Sequence, residues 1–289
     1  MLVLIFVFKK KNIYIYRTMT GLKRDTKFEE FYTKDHVSET CIGILNEKFA
    51  IDKNFTRIID PSAGTGSFYN KLKKYKNTIA YDIKKSHPDI LLEDFLKLKI
   101  DKGDFNTLVI GNPPFGRNSC TAKKFIKKSC EFANIIAFIL PLSFRKDSMK
   151  KSFASNFHLI HEYELDKKSF IRNDIDHDVP CVFQIWEKKD IERKKITTHS
   201  PNKYYSFVHK DDNPTIAFRR VGGKAGTFTY TGLFSLTGES HYFIKTSQEI
   251  NKEILDNLVW ETKNTVGPKS ISKQELIKNL NEKVFIKNI

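Results

Sequence analysis

A chain of 289 residues is long enough to bury a full core, so one domain with an extension is the natural expectation. Its 50 Lys and Arg against 34 Asp and Glu leave a formal charge of +16, which favours a polyanionic partner, most simply nucleic acid. A composition dense in Lys, Asn, Ile and Phe is also what an AT-rich genome produces, so charge alone does not decide the matter.

Cys41, Cys120, Cys130 and Cys181 form no C-x-x-C pair and have no companion histidine spacing. That speaks against a metal site or a disulfide framework and fits a reducing, intracellular compartment. Leu2–Phe8 is apolar but too short to span a bilayer, and Lys9-Lys10-Lys11 after it puts the charges on the wrong side for a signal peptide. No membrane partner is expected. Met19 reads as the true start, and residues 1–24 as a disordered tail or upstream read-through.

The first structured stretch is Lys27–Leu45. Phe31-Tyr32-Thr33 is a short aromatic turn, and Asp35 or Ser38 caps the helix expected after it. Thr56–Asp60 then reads as a strand that runs into Pro61-Ser62-Ala63-Gly64-Thr65-Gly66-Ser67-Phe68, with a helix through Leu72. Strand, glycine turn and helix make the first unit of a doubly wound sheet. The spacing is neither the dinucleotide G-x-G-x-x-G nor a P-loop, and no lysine stands ready for a phosphate. Asp60 ends the strand instead, so a ligand with an ammonium group suits this turn better than a nucleoside triphosphate.

Asn77–Asp82 is the second strand, and Asp82 follows Asp60 by 22 positions, where an acid grips ribose hydroxyls. Ile90–Phe95 brings a third acid, Asp94, beside the ring of Phe95, a pair able to bond an adenine amino group and cover its ring. Taken singly, each acid reads as a loop residue. Three of them ending strands of one sheet read as a ligand site, because ligands of such sheets sit at the carboxyl ends of the strands.

Asn106–Gly111 is a buried strand by composition, and Asn112-Pro113-Pro114-Phe115 stops it. Two prolines remove two N–H donors, so the sheet cannot continue. The Asn112 side chain and the Pro113 carbonyl then offer two acceptors to one group, with Phe115 as a flat face. That set suits a planar ring carrying an exocyclic amino group. On the tetrapeptide alone, a rigid loop with a buried Phe is the equal alternative.

Beyond it, Cys120–Ala133 and Asp147–Ser155 are expected helices, and Asn134–Leu140, Phe157–Glu164 and Val179–Trp186 expected strands. Lys167–Asp178 is a polar loop in which Phe170 is either an anchor or a stacking residue. From about 190 onward, Tyr204–His209, Thr215–Val221 and Thr227–Phe234 suggest short strands, and helices are expected from capping boxes at Thr246 and Ser272. Basic and aromatic residues interleave here (Arg219, Arg220, Lys224, Tyr204, Tyr205, Tyr230, Tyr242), which is equally a single-strand binding surface or the core and rim of a small β unit.

In their order, Phe31-Tyr32-Thr33, the run Asp60–Phe68, Asp82, Asp94-Phe95 and Asn112–Phe115 resemble the S-adenosylmethionine-dependent amino-methyltransferases, especially the N6-adenine enzymes with their gamma motif order. The resemblance covers about residues 25–190, and Lys34 departs from it, standing where that family usually has Pro. It implies an α/β fold: a Rossmann-like class I methyltransferase sheet with helices on both faces, followed by a small mixed α+β C-terminal extension over 191–289, a region suited to substrate recognition. It implies S-adenosylmethionine as cofactor, held by Phe31, Thr33, Asp60, Ser62, Gly64, Gly66, Phe68, Asp82, Asp94 and Phe95. It implies catalysis by Asn112, Pro113, Pro114 and Phe115, with Phe115 and Phe170 sandwiching the target base, and requires no metal. The expected activity is methylation of adenine N6 in nucleic acid, DNA ahead of RNA. Cap-adjacent adenosine in RNA, a protein glutamine amide, and an inactive nucleic-acid-binding subunit stay as alternatives, and an accessory protein subunit stays open as a partner.

Overall fold

The computed structural model describes residues 31–194, 197–260 and 269–285. The expected N-terminal tail, residues 1–24 with Met19, lies outside them. The described residues divide into two compact units, 31–194 and 197–285. Among them, no helix is long and apolar enough to cross a membrane.

The first unit begins with β1 (Tyr32–Thr33) and helix α1 (Asp35–Phe49). Neither expected residue is the N-cap: Lys34 holds that position, Asp35 is the first helical residue, and Ser38 lies inside α1, where its hydroxyl donates to the carbonyls of Asp35 and Ser67. Next come β2 (Arg57–Asp60), β3 (Thr78–Asp82), β4 (Leu91–Leu92) and β5 (Thr107–Gly111). Helix α2 (Cys120–Cys130) precedes β6 (Ile135–Pro141) and β7 (Phe157–Glu164). A hairpin of β8 (Phe170–Arg172) and β9 (Ile175–His177) leads into β10 (Cys181–Lys188). The helix expected over Asp147–Ser155 is a single turn, Asp147–Lys150.

Seven strands form one sheet in the order β4-β3-β2-β5-β6-β10-β7. The first five run parallel, and β10 and β7 close the far side antiparallel. The chain winds outward from β2 through β3 to β4, then returns to β5 and β6. The reversal between β2 and β5 opens a crevice at the carboxyl ends of those strands. Alternation along the strands sorts the apolar side chains between two faces. Ile58, Leu108 and Ile110 pack with Val37, Cys41 and Leu45 of α1, while Ile59 and Val109 pack with Ala122, Phe125 and Ile126 of α2. Helices on both faces of a mostly parallel sheet are what the sequence predicted. This is the class I Rossmann-like arrangement.

The polar loop expected at Lys167–Asp178 is instead a hairpin that pairs with the chain's first described strand, Thr33 opposite Phe170 and Tyr32 opposite Ile171. Its turn residues Asn173 and Asp174 both have φ near +50 to +60°, a two-residue turn whose twist matches the strands. Phe170 is 1% exposed and sits in the core with α1.

The second unit carries β11 (Tyr205–Val208), β12 (Ile216–Arg219), β13 (Phe228–Thr229) and β14 (His241–Thr246) in an antiparallel sheet of order β11-β14-β12-β13. Residues 241–246 were not expected as a strand. Thr246 therefore ends β14 rather than opening a helix, and the short helix nearby starts at Lys252, capped by Asn251. The other capping box does form: Ser272 Oγ accepts from Glu275 N ahead of helix α3 (Lys273–Asn279). Leu276 of α3 packs with Tyr205, Phe218 and Ile244 of the sheet.

Replacing Phe170 by Ala removes a full side chain from this core. The expected loss is about 3–5 kcal/mol of unfolding free energy in denaturant titration; a loss below about 1 kcal/mol would contradict its placement there.

Candidate active site

A cavity of about 330 Å³ opens at the carboxyl ends of β2, β3 and β5, inside the usual size range for small-molecule sites. Of the residues singled out from the sequence, Phe31, Ser62, Gly64, Asp82, Asp94, Phe95 and all of Asn112–Phe115 line it. Thr33, Asp60, Gly66, Phe68 and Phe170 do not. Thr33 supports the wall through a hydrogen bond, while Phe68 is 3% exposed and packs in the α1 core with Phe170. The sandwich expected of Phe170 is thereby corrected: cross-strand pairing with Thr33 turns its ring into the interior.

Three turns are fastened to one another around the cavity. Asp82 Oδ2 accepts the Gly64 N–H at 2.8 Å, and its Oδ1 accepts the Lys84 N–H at 2.9 Å. The acid at the end of β3 thus closes the glycine turn after β2. Gly64 itself has φ +54°, and a Cβ there would lie 3.0 Å from the Tyr32 ring; only glycine takes that conformation without strain in so tight a place. Ser62 Oγ donates to the Asn112 carbonyl at 3.3 Å. Asn112 Nδ2 donates to the Phe31 carbonyl at 3.3 Å and to Thr33 Oγ1 at 3.1 Å.

A carbonyl can only accept, so the bond to Phe31 fixes which way the Asn112 amide faces. Its Oδ1 is left buried with no hydrogen-bond partner among the described residues. A buried acceptor without a donor costs about 1–3 kcal/mol, and a native fold keeps one where a ligand is to supply the donor. Phe115 lines the same cavity as Asn112.

Asp60 ends β2 directly beneath. It is 1% exposed, its Oδ1 accepts the Ser62 N–H at 3.2 Å, and a Cβ on Gly111 would come within 2.7 Å of the same oxygen. Burial, with some repulsion from Asp82, pushes its carboxyl up to about 8, against the lowering effect of the Ser62 bond.

The sequence reading missed several lining residues: Tyr32, Ile83, Glu93, Leu96, Thr121 and Phe125. Glu93 and Tyr32 stood inside runs already singled out, next to Asp94 and Phe31. Ile83 carries its own signal, an apolar side chain 53% exposed just after Asp82. Phe125 lies inside the expected helix Cys120–Ala133; its ring stacks on Phe95 at 5.5 Å and 14° and the two form an apolar wall.

The EDM2 methyltransferase-like domain family matches residues 56–199, just under half of the chain. No curated protein matches the sequence. Among solved structures, a Pyrococcus horikoshii protein described as an RNA methyltransferase is 15% identical with a TM-score of 0.44, over 63% of this chain and 98% of its own. A Vibrio vulnificus chain described as the modification subunit of a type I restriction enzyme is 14% identical with a TM-score of 0.43, over 95% of this chain and 65% of its own. The tRNA m1G37 methyltransferase of M. jannaschii is 19% identical with a TM-score of 0.38, over 55% of this chain and 49% of its own. Likeness at this level says nothing of the substrate.

Over residues 56–199 the chain is thus similar to a methyltransferase-like domain, and the methyl donor this implies is S-adenosylmethionine. The cavity fits that group chemically: the carboxylates of Asp82, Glu93 and Asp94 are acceptors for hydroxyl and amino donors, and the Phe95 and Phe125 wall and exposed Ile83 are apolar faces for a flat ring.

The Asp60 environment has a measurable signature. A folded-state value raised to about 8 means the fold holds a proton that the unfolded chain releases near pH 4, so stability falls as pH climbs between those values. Asp60→Asn carries no such proton and keeps the acceptor for Ser62. In the ligand-free protein the variant's advantage over the parent is expected to grow by up to about 1.4 kcal/mol per pH unit from about pH 4 to 8, then level off. Parallel unfolding curves across that range would show a flat difference if Asp60 were ionised.

Proposed function

We propose that the chain transfers the methyl group of S-adenosylmethionine to the exocyclic N6 of adenine in nucleic acid, with DNA ahead of RNA. One observation carries this reading: the buried, unpartnered Oδ1 of Asn112, set by a fixed amide on a residue that lines the same cavity as Phe115. An acceptor held in this way awaits an N–H donor on a flat group.

When bound, S-adenosylmethionine supplies an electrophilic methyl group. Asp82 holds the ribose hydroxyls, Asp94 the adenine amino group of the cofactor, and Gly64 and Ser62 the methionine end, with Phe31 and Thr33 at its edge. Asp60, Gly66 and Phe68 shape the turn from behind. Asn112 Oδ1 and the Pro113 carbonyl accept the two N–H bonds of the target amine. Adenine N6 is a weak nucleophile because its lone pair is delocalised into the ring. Two acceptors on its hydrogens draw the nitrogen toward a tetrahedral shape and localise that pair for in-line attack. Pro113 and Pro114 keep the acceptors rigid, and Phe115 stacks on the base. The catalytic contribution is positioning and electrostatics, with donors and acceptors arranged before the reaction begins. A base in duplex must first be flipped out to reach such a cavity, whereas one in a single strand need not be.

The test offers tritiated S-adenosylmethionine with duplex DNA, single-stranded DNA, capped RNA, uncapped RNA and a protein extract side by side. Label in N6-methyladenine is the expected result, and label confined to protein would reject the reading. Asn112→Ala is expected to cut methyl transfer at least about a hundredfold while cofactor affinity stays within about threefold. Activity near the parent's would remove Asn112 from the chemistry.

A further inference from the structure

The second unit holds a cavity of its own, of about 640 Å³, which the methyl-transfer site does not use. Four aromatic residues line it: Phe207 on β11, Tyr242 and Phe243 on β14, and Phe234 in the turn Leu233–Ser235. The Phe207 and Tyr242 rings meet edge to face at 5.8 Å. Each also carries a cation on its face, Lys273 Nζ at 4.1 Å from the Phe207 centroid and the Arg220 guanidinium at 5.3 Å from that of Tyr242. Lys210 and Lys273 line the groove, and Glu239 is the one carboxylate among its lining residues.

Phe234 is the telling residue. Leu233, its neighbour in the same turn, is buried, whereas Phe234 stands 64% exposed over the groove with no cation on its ring among the described residues. An aromatic ring left in water beside fixed cations gains nothing from the fold. It gains if a flat partner stacks on it while the partner's negative charge meets the lysines. An acidic peptide would satisfy the cations and leave the ring idle. Duplex nucleic acid keeps its base faces stacked inside. A single strand presents alternating phosphates and free base faces, and so uses both halves of the groove.

We infer that this groove binds a single-stranded segment of nucleic acid, with a base stacked on Phe234 and phosphates at Lys210 and Lys273. The inference rests on the proposed function in taking nucleic acid as substrate, and deepens it by naming the strandedness that the second unit selects.

The experiment uses the full chain and a fluorescein-labelled mixed-sequence 20-mer, single-stranded or annealed, with an oligo-glutamate peptide as competitor. Binding is read by anisotropy across a salt series. Phe234→Ala is expected to weaken single-strand binding about tenfold, within the range for loss of one base stack, and Phe234→Trp to restore it. Lys210→Gln with Lys273→Gln is expected to lower the slope of log Kd against log salt by about 1.4, two phosphates at about 0.7 each. Unchanged S-adenosylhomocysteine affinity and melting temperature certify the fold of each variant. Single-strand binding by Phe234→Ala within twofold of the parent overturns the inference. So does tighter parent binding to duplex, or displacement of the strand by the acidic peptide at comparable concentration. Methyl transfer assayed in parallel separates the two readings. Intact N6 label with no Phe234 effect rejects the groove alone. A Phe234 effect on binding with no label in any nucleic acid rejects the proposed activity and keeps the groove.

Discussion

The site depends on one side chain's amide. Asn112 follows a strand that cannot extend, because two prolines come next, and its backbone carbonyl and Nδ2 reach two other parts of the chain. Ser62 donates to the carbonyl, while the Phe31 carbonyl and Thr33 hydroxyl receive the two Nδ2 hydrogens. With both donors used, the remaining oxygen has a single direction and no internal partner. Rotating the amide would set oxygen against the Phe31 carbonyl oxygen. The acceptor is therefore held in place before any ligand arrives, which is the condition under which a hydrogen bond contributes most to a reaction.

Electrostatics around that acceptor run against the charge of the whole chain. A protein with a formal charge of +16 lines this cavity with three acids, Asp82, Glu93 and Asp94, against one base, Lys84. That balance favours a neutral or cationic ligand over a phosphate. Asp60 extends this logic inward. Burial raises its carboxyl and a cation settling nearby lowers it, so the binding of a positively charged ligand and proton release from the fold are linked.

The sheet and the turns that carry the site were legible in the sequence because each is a local property. Ile58-Ile59 and Leu108-Val109-Ile110 are short apolar runs with a breaker after them, and the acids Asp60 and Asp82 occupy strand ends where the chain itself marks the boundary. Phe170 was not legible. Its fate depends on a pairing with Thr33 across 137 positions of chain, taken from the registered partners, and no window of sequence around Lys167–Asp178 contains that information. The strand at His241–Thr246 was missed for a related reason. It has only six residues, its polar ends weaken the alternation, and its identity as the inner strand comes from β11 and β12 on either side. The capping box at Thr246 obeyed the local rule and lost to that pairing, whereas Ser272, with no strand competing for it, capped its helix.

The hairpin that claims Phe170 also reaches the cavity wall. Phe31 gives its carbonyl to Asn112, and its ring is held on the other side by the hairpin: the His177 ring meets it edge-on at 5.2 Å, and the Arg172 guanidinium lies 5.7 Å from its centroid. Lys34 pairs with Asp176 on the same hairpin at 2.5 Å. A proline in place of Lys34 would fix the chain after the aromatic segment through its own φ. A lysine cannot, and here an ion pair, a strand pair and two ring contacts secure the segment from outside. The segment Phe31–Lys34 is thus secured by β8 and β9, and the direction of the Asn112 acceptor rests on a hairpin that contributes no residue to the cavity lining.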